Sequence, residues 1–216
     1  VTAPPARPDD PFGVGSLTDV AGLRIGHHQR VGRGWQTGTT VVFAPGGVVA
    51  AVDVRGGGPG TRETDALDAR NLVDRIHAVC LTGGSAYGLA AADGVMAGLE
   101  ARRLGVQVGP QPEQVVPVVP TAVIFDLGRG GRFGARPTAE FGARALAAAG
   151  RRGRPRGSVG AGTGARSGGL QGGIGTASVT VAVGAATATV AALAVVNSSG
   201  SAIDPKINTR MHVKGR

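Results

Sequence analysis

The chain has 216 residues, a formal charge of +9, a single cysteine and 39 glycines. The ordinary apolar fraction of 42% and the lack of a collagen-like period exclude general disorder and assign the glycines to tight turns of one large domain. The charge does not point to nucleic acid, because the arginines are scattered outside residues 151–156 and the aromatics available for stacking on bases are few, one Trp, one Tyr and five Phe.

Residues 1–14 read as a flexible, Pro-rich arm, without the apolar stretch of a signal peptide or the pattern of a transit peptide. Within 15–26, Leu23 and Ile25 alternate with polar neighbours, so a strand is expected that ends before His27 and His28. Adjacent histidines on a strand face opposite ways and do not jointly bind a metal easily, so a surface or hydrogen-bonded role is expected, and no metal site is. Residues 39–43 and 48–54 read as a hairpin joined by Ala44-Pro45-Gly46-Gly47. The loop that follows, 53–65, holds Arg55 and Arg62 in a Gly-rich stretch that lacks the Gly-Lys-Ser/Thr ending of a P-loop. It either clamps an anion or is braced by ion pairs to Asp53, Glu63 or Asp65. Thr64 is a candidate cap for a short helix through Leu67, Leu72 and Ile76.

The organising stretch is 78–99. Its apolar start suits a buried strand, in which Cys80 reads as a buried, unreactive thiol in a reducing, cytoplasmic setting. Leu89, Ala92, Val95, Met96 and Leu99 then recur at helical spacing, so the strand turns into a helix at Gly83-Gly84-Ser85. Unpaired amides at such a turn can hold an oxyanion, carboxylate or phosphate, with Tyr87 beside it; equally, the turn can be a plain connection with Tyr87 as packing. Further on, 115–125 is an extended segment broken by Pro117 and Pro120, leading to a strand at 122–127. Thr138 caps a helix carrying Phe141, Ala145, Leu146 and Ala149. The glycines of 160–165 lack the preceding strand that a dinucleotide fingerprint needs, and no cofactor is expected. Residues 176–183 and 187–196 read as a second hairpin of core sheet rather than a membrane span, delivering Asn197 to a strand end as a candidate oxyanion donor or turn former.

Six blocks in order resemble the L-aminopeptidase/D-amidase-esterase family of self-cleaving hydrolases, the DmpA type, which includes β-aminopeptidases and the nylon-oligomer hydrolase. They are 17–27, 53–65, 81–89, 118–126, 172–178 and 193–197. The resemblance implies an α+β, four-layer αββα sandwich, here lacking the C-terminal β piece. It also implies an aminopeptidase or amidase acting on small peptides or amino-acid amides through an N-terminal Ser or Thr nucleophile created by self-cleavage. Tyr87 and Asn197 are then the catalytic residues of this portion, with Gly83, Gly84, Ser85 and Gln171 as pocket or oxyanion residues. Gln171 stands where relatives usually carry Lys. The portion 15–205 accounts for the family pattern. The end, 206–216, brings the first lysines, Lys206 and Lys214, and is expected to be divergent, although Asn208-Thr209 resembles the scissile pair of some members. The expected partners are a β piece carrying the nucleophile and further copies of the chain, with no membrane or nucleic acid, and the chain alone is expected to be inactive. The alternative is an inactive remnant, or a module of the same fold that binds small anions or a partner.

Overall fold

The computed structural model describes residues 15–151 and 156–201, with the backbone alone of Ile203–Asp204 and Thr209–Arg210, which pair antiparallel. The arm 1–14, the centre of the arginine loop and most of the 206–216 tail lie outside the described residues. In chain order the strands of the main sheet are β1 (Arg24–Gly32), β2 (Trp35–Val48), β3 (Thr61–Arg62) and β4 (Ile76–Thr82). Helix α1 (Ala91–Glu100) comes next, then β5 (Val106–Gln107), β6 (Val115–Val116), β7 (Thr121–Val123) and helix α2 (Ala139–Ala147). The last elements named are β8 (Arg166–Ser167), β9 (Leu170–Gln171), β10 (Ile174–Val183) and β11 (Ala186–Val195).

The first hairpin is not the expected one. β1 runs on through His27 and His28 and returns as β2 with Gly32 opposite Trp35. Arg33 and Gly34 close it at φ 51° and 89°, the two-residue turn whose twist matches that of its strands. Ala44-Pro45-Gly46-Gly47 lies inside β2. Pro45 has no N–H to give, so the ladder to β4 stops at Phe43 opposite Ala78 and resumes at Val48 opposite Ile76; the segment makes an irregularity in the strand, not a reversal. The expected second arm, 49–54, is irregular chain. The helix expected after Thr64 is a single 3-10 turn, Asp65–Leu67, without a side-chain cap. The Asp68 carboxylate takes the Arg70 N–H at 3.0 Å and its guanidinium at 2.6 Å, and this local alternative competes with helical bonding. Leu72 is exposed and Ile76 belongs to β4.

The sheet has the order β1-β2-β4-β7-β3. Its neighbours run antiparallel except β4 and β7, which are parallel, with Cys80 opposite Thr121 and Thr82 opposite Val123. Alternation along the strands sends Val41, Phe43, Ala78 and Cys80 to one face, where Ala92, Val95, Leu99, Ala145 and Leu146 of the two helices bury them. Burial pushes the Cys80 thiol up to about 12, as befits an inert core cysteine. The opposite face is apolar too, yet Val42, Val79 and Leu81 are only half-buried there. Thr138 starts α2 by accepting the Phe141 N–H on its backbone oxygen at 2.9 Å, with no cap bond from its side chain.

The second hairpin forms as expected, with β10 and β11 in register from Ile174 opposite Val195 to Val183 opposite Ala186. It is not core within this chain. Its root is anchored where Ser178 Oγ donates to Asp19 Oδ2 at 2.7 Å and Leu17 N–H donates to Thr176 Oγ1 at 2.7 Å. Beyond Ser178 the ribbon is open to solvent, with Val179, Val183 and Val190 each more than half exposed. Among the described residues no helix is long and apolar enough to cross a membrane.

Candidate functional site

The one parallel pair in the main sheet brings the carboxyl ends of β4 and β7 side by side, the edge at which sheets of parallel strands present their ligand-binding loops. From the end of β4 the chain turns through Gly83, Gly84 and Ser85 into a 3-10 helix, Ser85–Ala90, that carries Tyr87 and continues as α1. Gly84 and Ser85 both have positive φ, 86° and 51°. For Ser85, whose Cβ crowds the following carbonyl, this costs about 1–2 kcal/mol. Three bonds to three neighbours hold the turn: Gly83 N–H to Gly38 O at 2.9 Å, Gly84 N–H to Asp126 Oδ1 at 2.6 Å, and Ser85 N–H to Ile124 O at 3.0 Å. The amides of Gly83, Gly84 and Ser85 are therefore engaged internally, and none of the three is left for a bound anion.

Tyr87 is 54% exposed, so it is not core packing. The Arg136 guanidinium lies 3.6 Å from the centre of its ring, a cation–π contact that fixes the ring's orientation. Nothing in the sequence singled out Arg136, which is 49 positions away. Asn197, just beyond β11, reaches the same edge. Its Oδ1 accepts the N–H of Phe125 at 3.0 Å, which leaves the Nδ2 group as the outward donor. Residues 124–126 thus serve both candidates: Ile124 and Asp126 hold Ser85 and Gly84 of the turn that leads to Tyr87, and Phe125 orients Asn197.

Two clefts open beside Asn197. One, of about 370 Å³, lies against β7 and the 50–60 loop; the other, of about 310 Å³, is bounded by Phe125, Arg129, Arg166 and Ser198. Gln171 braces the second wall. Its Nε2 donates to Thr163 O at 3.0 Å and Ala165 O at 3.2 Å, while its Oε1 accepts from Gln36 Nε2 at 2.9 Å. Its carboxamide is thus tied on both sides to the 163–165 loop and β2.

The remaining polar residues of interest lie elsewhere. Arg55 pairs with Asp53 at 2.6 Å on the surface, one of the braces the sequence allowed. Arg62 instead reaches α1, pairing with Asp93 at 2.5 Å and contacting Met96 Sδ at 3.0 Å. His27 and His28 point to opposite faces: His27 Nδ1 lies 2.9 Å from Thr40 Oγ1, and the His28 ring meets Phe141 edge-on at 4.8 Å. Burial lowers the pKa of both. No group of three metal-ligating side chains occurs among the described residues.

The peptidase family S58 model matches residues 15–216. An uncharacterized aminopeptidase of Mycobacterium tuberculosis is 55% identical over 196 residues, which cover 88% of this chain and 55% of that protein. A 6-aminohexanoate-oligomer endohydrolase of Kocuria is 37% identical over 129 residues, covering 59% of this chain and 30% of that one. The chain therefore spans about half the length of the curated mycobacterial relatives, or less for the endohydrolase. Among solved structures, a Burkholderia β-aminopeptidase superposes with TM-score 0.68 at 26% identity, over 94% of this chain and 55% of that one. The L-aminopeptidase D-Ala-esterase/amidase of Ochrobactrum anthropi, described as a variant of the Ntn hydrolase fold, superposes with TM-score 0.70 at 20% identity, over 86% and 53%. The matched region takes in both chain segments that meet at residues 124–126, and the chain belongs to peptidase family S58, the DmpA-type aminopeptidases, with their α+β fold.

Proposed function

We propose that this chain supplies the α portion of an amide-hydrolysing enzyme that acts on small peptides or amino-acid amides, with the Ser or Thr nucleophile carried by a β piece. The observation that carries the reading is that residues 124–126 hold both the turn leading to Tyr87 and the Asn197 side chain, with two open clefts beside Asn197. In this reading the outward Nδ2 of Asn197 donates to the carbonyl oxygen as it gains charge, and the Tyr87 hydroxyl hydrogen-bonds the reacting group. The nucleophile's own α-amine serves as its base. The half-covered sheet face at Val42, Val79 and Leu81 and the projecting β10–β11 hairpin are the surfaces against which the β piece packs, which fits a chain spanning 55% of its mycobacterial relative. Engagement of the 83–85 amides takes support away from the alternative reading, an anion-binding module built on that turn.

The test is hydrolysis of aminoacyl p-nitroanilides by this chain alone and by the chain with a β piece from a family member. Activity is expected only with the β piece, and Tyr87→Phe is expected to reduce it. Hydrolysis by the chain alone that Tyr87→Phe abolishes refutes the assignment of the nucleophile to a second piece.

A further inference from the structure

Asp126 is 3% exposed, closes the quoted 118–126 block, and has no role in the reading above. Its Oδ1 accepts the Gly84 N–H at 2.6 Å, at the first of the two left-handed residues that lead to Tyr87. Among the described residues its Oδ2 has no hydrogen-bond partner, and neither has the buried hydroxyl of Thr37. The two oxygens lie on the same side of Gly83, where a Cβ would fall 2.0 Å from Oδ2 and 2.3 Å from Thr37 Oγ1. On another element, a Cβ on Gly164 would fall 2.5 Å from the same Oδ2. Glycines in two separate loops therefore make the space that this carboxyl fills.

We propose that Asp126 is a positioning residue, whose buried carboxyl clamps the Tyr87-bearing turn to the segment that orients Asn197. The roles of Tyr87 and Asn197 rest on the function proposed above; the clamp itself rests on the hydrogen bond to Gly84 and the glycine-lined space. If capping one amide were the whole task, a neutral Asn would serve without the cost of burying an ionisable group. What a carboxyl adds is a proton that comes and goes. Protonated, Oδ2 carries a hydrogen that it can donate; ionised, it places a buried charge beneath the turn that the Gly84 amide, the Thr37 hydroxyl and Arg129 only partly offset. Burial favours the uncharged acid, while the Thr37 hydroxyl, the Gly84 amide and Arg129 oppose that preference. Among the described residues, Arg129 is the charged side chain that bears on Asp126; the turn at 83–84, β2 at Gln36 and Thr37, and the loop at Gly164 bring no titratable group.

Tyr87 is the one tyrosine of the chain, so incorporation of 3-fluorotyrosine gives a single fluorine NMR resonance at this site. In the 216-residue chain that resonance is expected to move through one titration step with its midpoint above the ordinary carboxylate range. Trp35 fluorescence, from the one tryptophan, should stay constant. Asp126→Asn, which keeps an acceptor for Gly84, is expected to abolish the step and hold the resonance at its acid-side position. Thr37→Val is expected to raise the midpoint, because the hydroxyl opposes the uncharged form. Persistence of the step in Asp126→Asn, or its absence from the parent chain, overturns the proposal. No substrate is used, so a failed hydrolase assay with an intact titration refutes the function alone, and the converse refutes the clamp alone.

Discussion

Alanine at Gly142 sets helix propensity against packing, and the geometry decides between them. Propensity favours the change by about 1 kcal/mol, since glycine wastes backbone entropy in a helix interior. Yet α1 and α2 cross backbone to backbone at this residue: a Cβ on Gly142 would lie 1.9 Å from Ala91 O, and one on Gly94 1.8 Å from Ala139 O. Neither obstacle is a side chain that can swing away. Restoring ordinary contact forces the helices apart by about 1.5 Å, and gaps of that size forfeit much of the dispersion attraction across the interface. Overpacking of this kind costs about 3 kcal/mol, so the net loss is about 2 kcal/mol. For a chain of this length that lowers Tm by about 4–8 °C. Gly98 is the comparison, because its Cβ would meet side chains and no backbone, Leu146 Cδ2 at 2.7 Å and Arg102 Nη1 at 3.2 Å, so a small shift of the buried Leu146 rotamer can relieve it. Circular-dichroism melts of the three variants are expected to show Gly94→Ala and Gly142→Ala below the parent and Gly98→Ala level with it or above. A Gly142→Ala chain that melts at or above the parent temperature refutes the backbone contact.

In the active assembly, Asn197→Ala is expected to lower kcat by about 10²–10³-fold, as loss of one oxyanion donor does, and steady-state kinetics check it. Arg136→Ala frees the Tyr87 ring and is expected to broaden the fluorine resonance of labelled Tyr87 into several environments while leaving Tm nearly unchanged. The imidazoles of His27, His28 and His77 are held below their ordinary 6.5, chiefly by burial. The unfolded chain therefore binds more protons than the folded one as pH falls through 6.5, and their contribution to stability, complete above that value, is lost below it; urea melts from about pH 7.5 down to 5 should show a falling midpoint. With Val179, Val183 and Val190 bare on the hairpin, sedimentation of the isolated chain is expected to show self-association rather than a clean 21.4 kDa monomer.

The parts of this fold legible in the sequence are those whose signal is local. The apolar run into Gly83-Gly84-Ser85 and the three-and-four spacing after it predict β4, the turn and α1, and the alternating segments predict β10 and β11. The first hairpin is misread because Pro45 and two glycines look like a reversal, whereas the true turn, Arg33-Gly34, carries one glycine and a long charged side chain. The helix after Thr64 fails because Asp68 satisfies Arg70 locally. For the site, Tyr87 and Asn197 are placed by family blocks, but no local pattern reveals that β4 and β7 pair in parallel or that Arg136 lies over Tyr87. Asp126 lies inside the 118–126 block and carries no local signal, since its significance lies in two glycines of other loops.

The parallel pairing of β4 and β7 explains why the site falls where it does. Antiparallel neighbours send successive chain ends to opposite edges of a sheet, so two loops following consecutive paired strands do not meet. Here the chain leaves β4, builds α1 across one face, and re-enters beside β4 in the same direction as β7, so the residues after both strands emerge together. That crossover puts Gly84 and Ser85 within hydrogen-bonding reach of Asp126 and Ile124, and these amides, which a free turn would offer to a ligand, are used to lock the two segments together. What is left facing outward is a small set of side chains, the Tyr87 ring and hydroxyl and the Asn197 amide, mounted on a base that has little freedom to shift. For the proposed reaction, such an arrangement would supply donors already aimed before charge develops, since electrostatic stabilisation is strongest when nothing need reorganise.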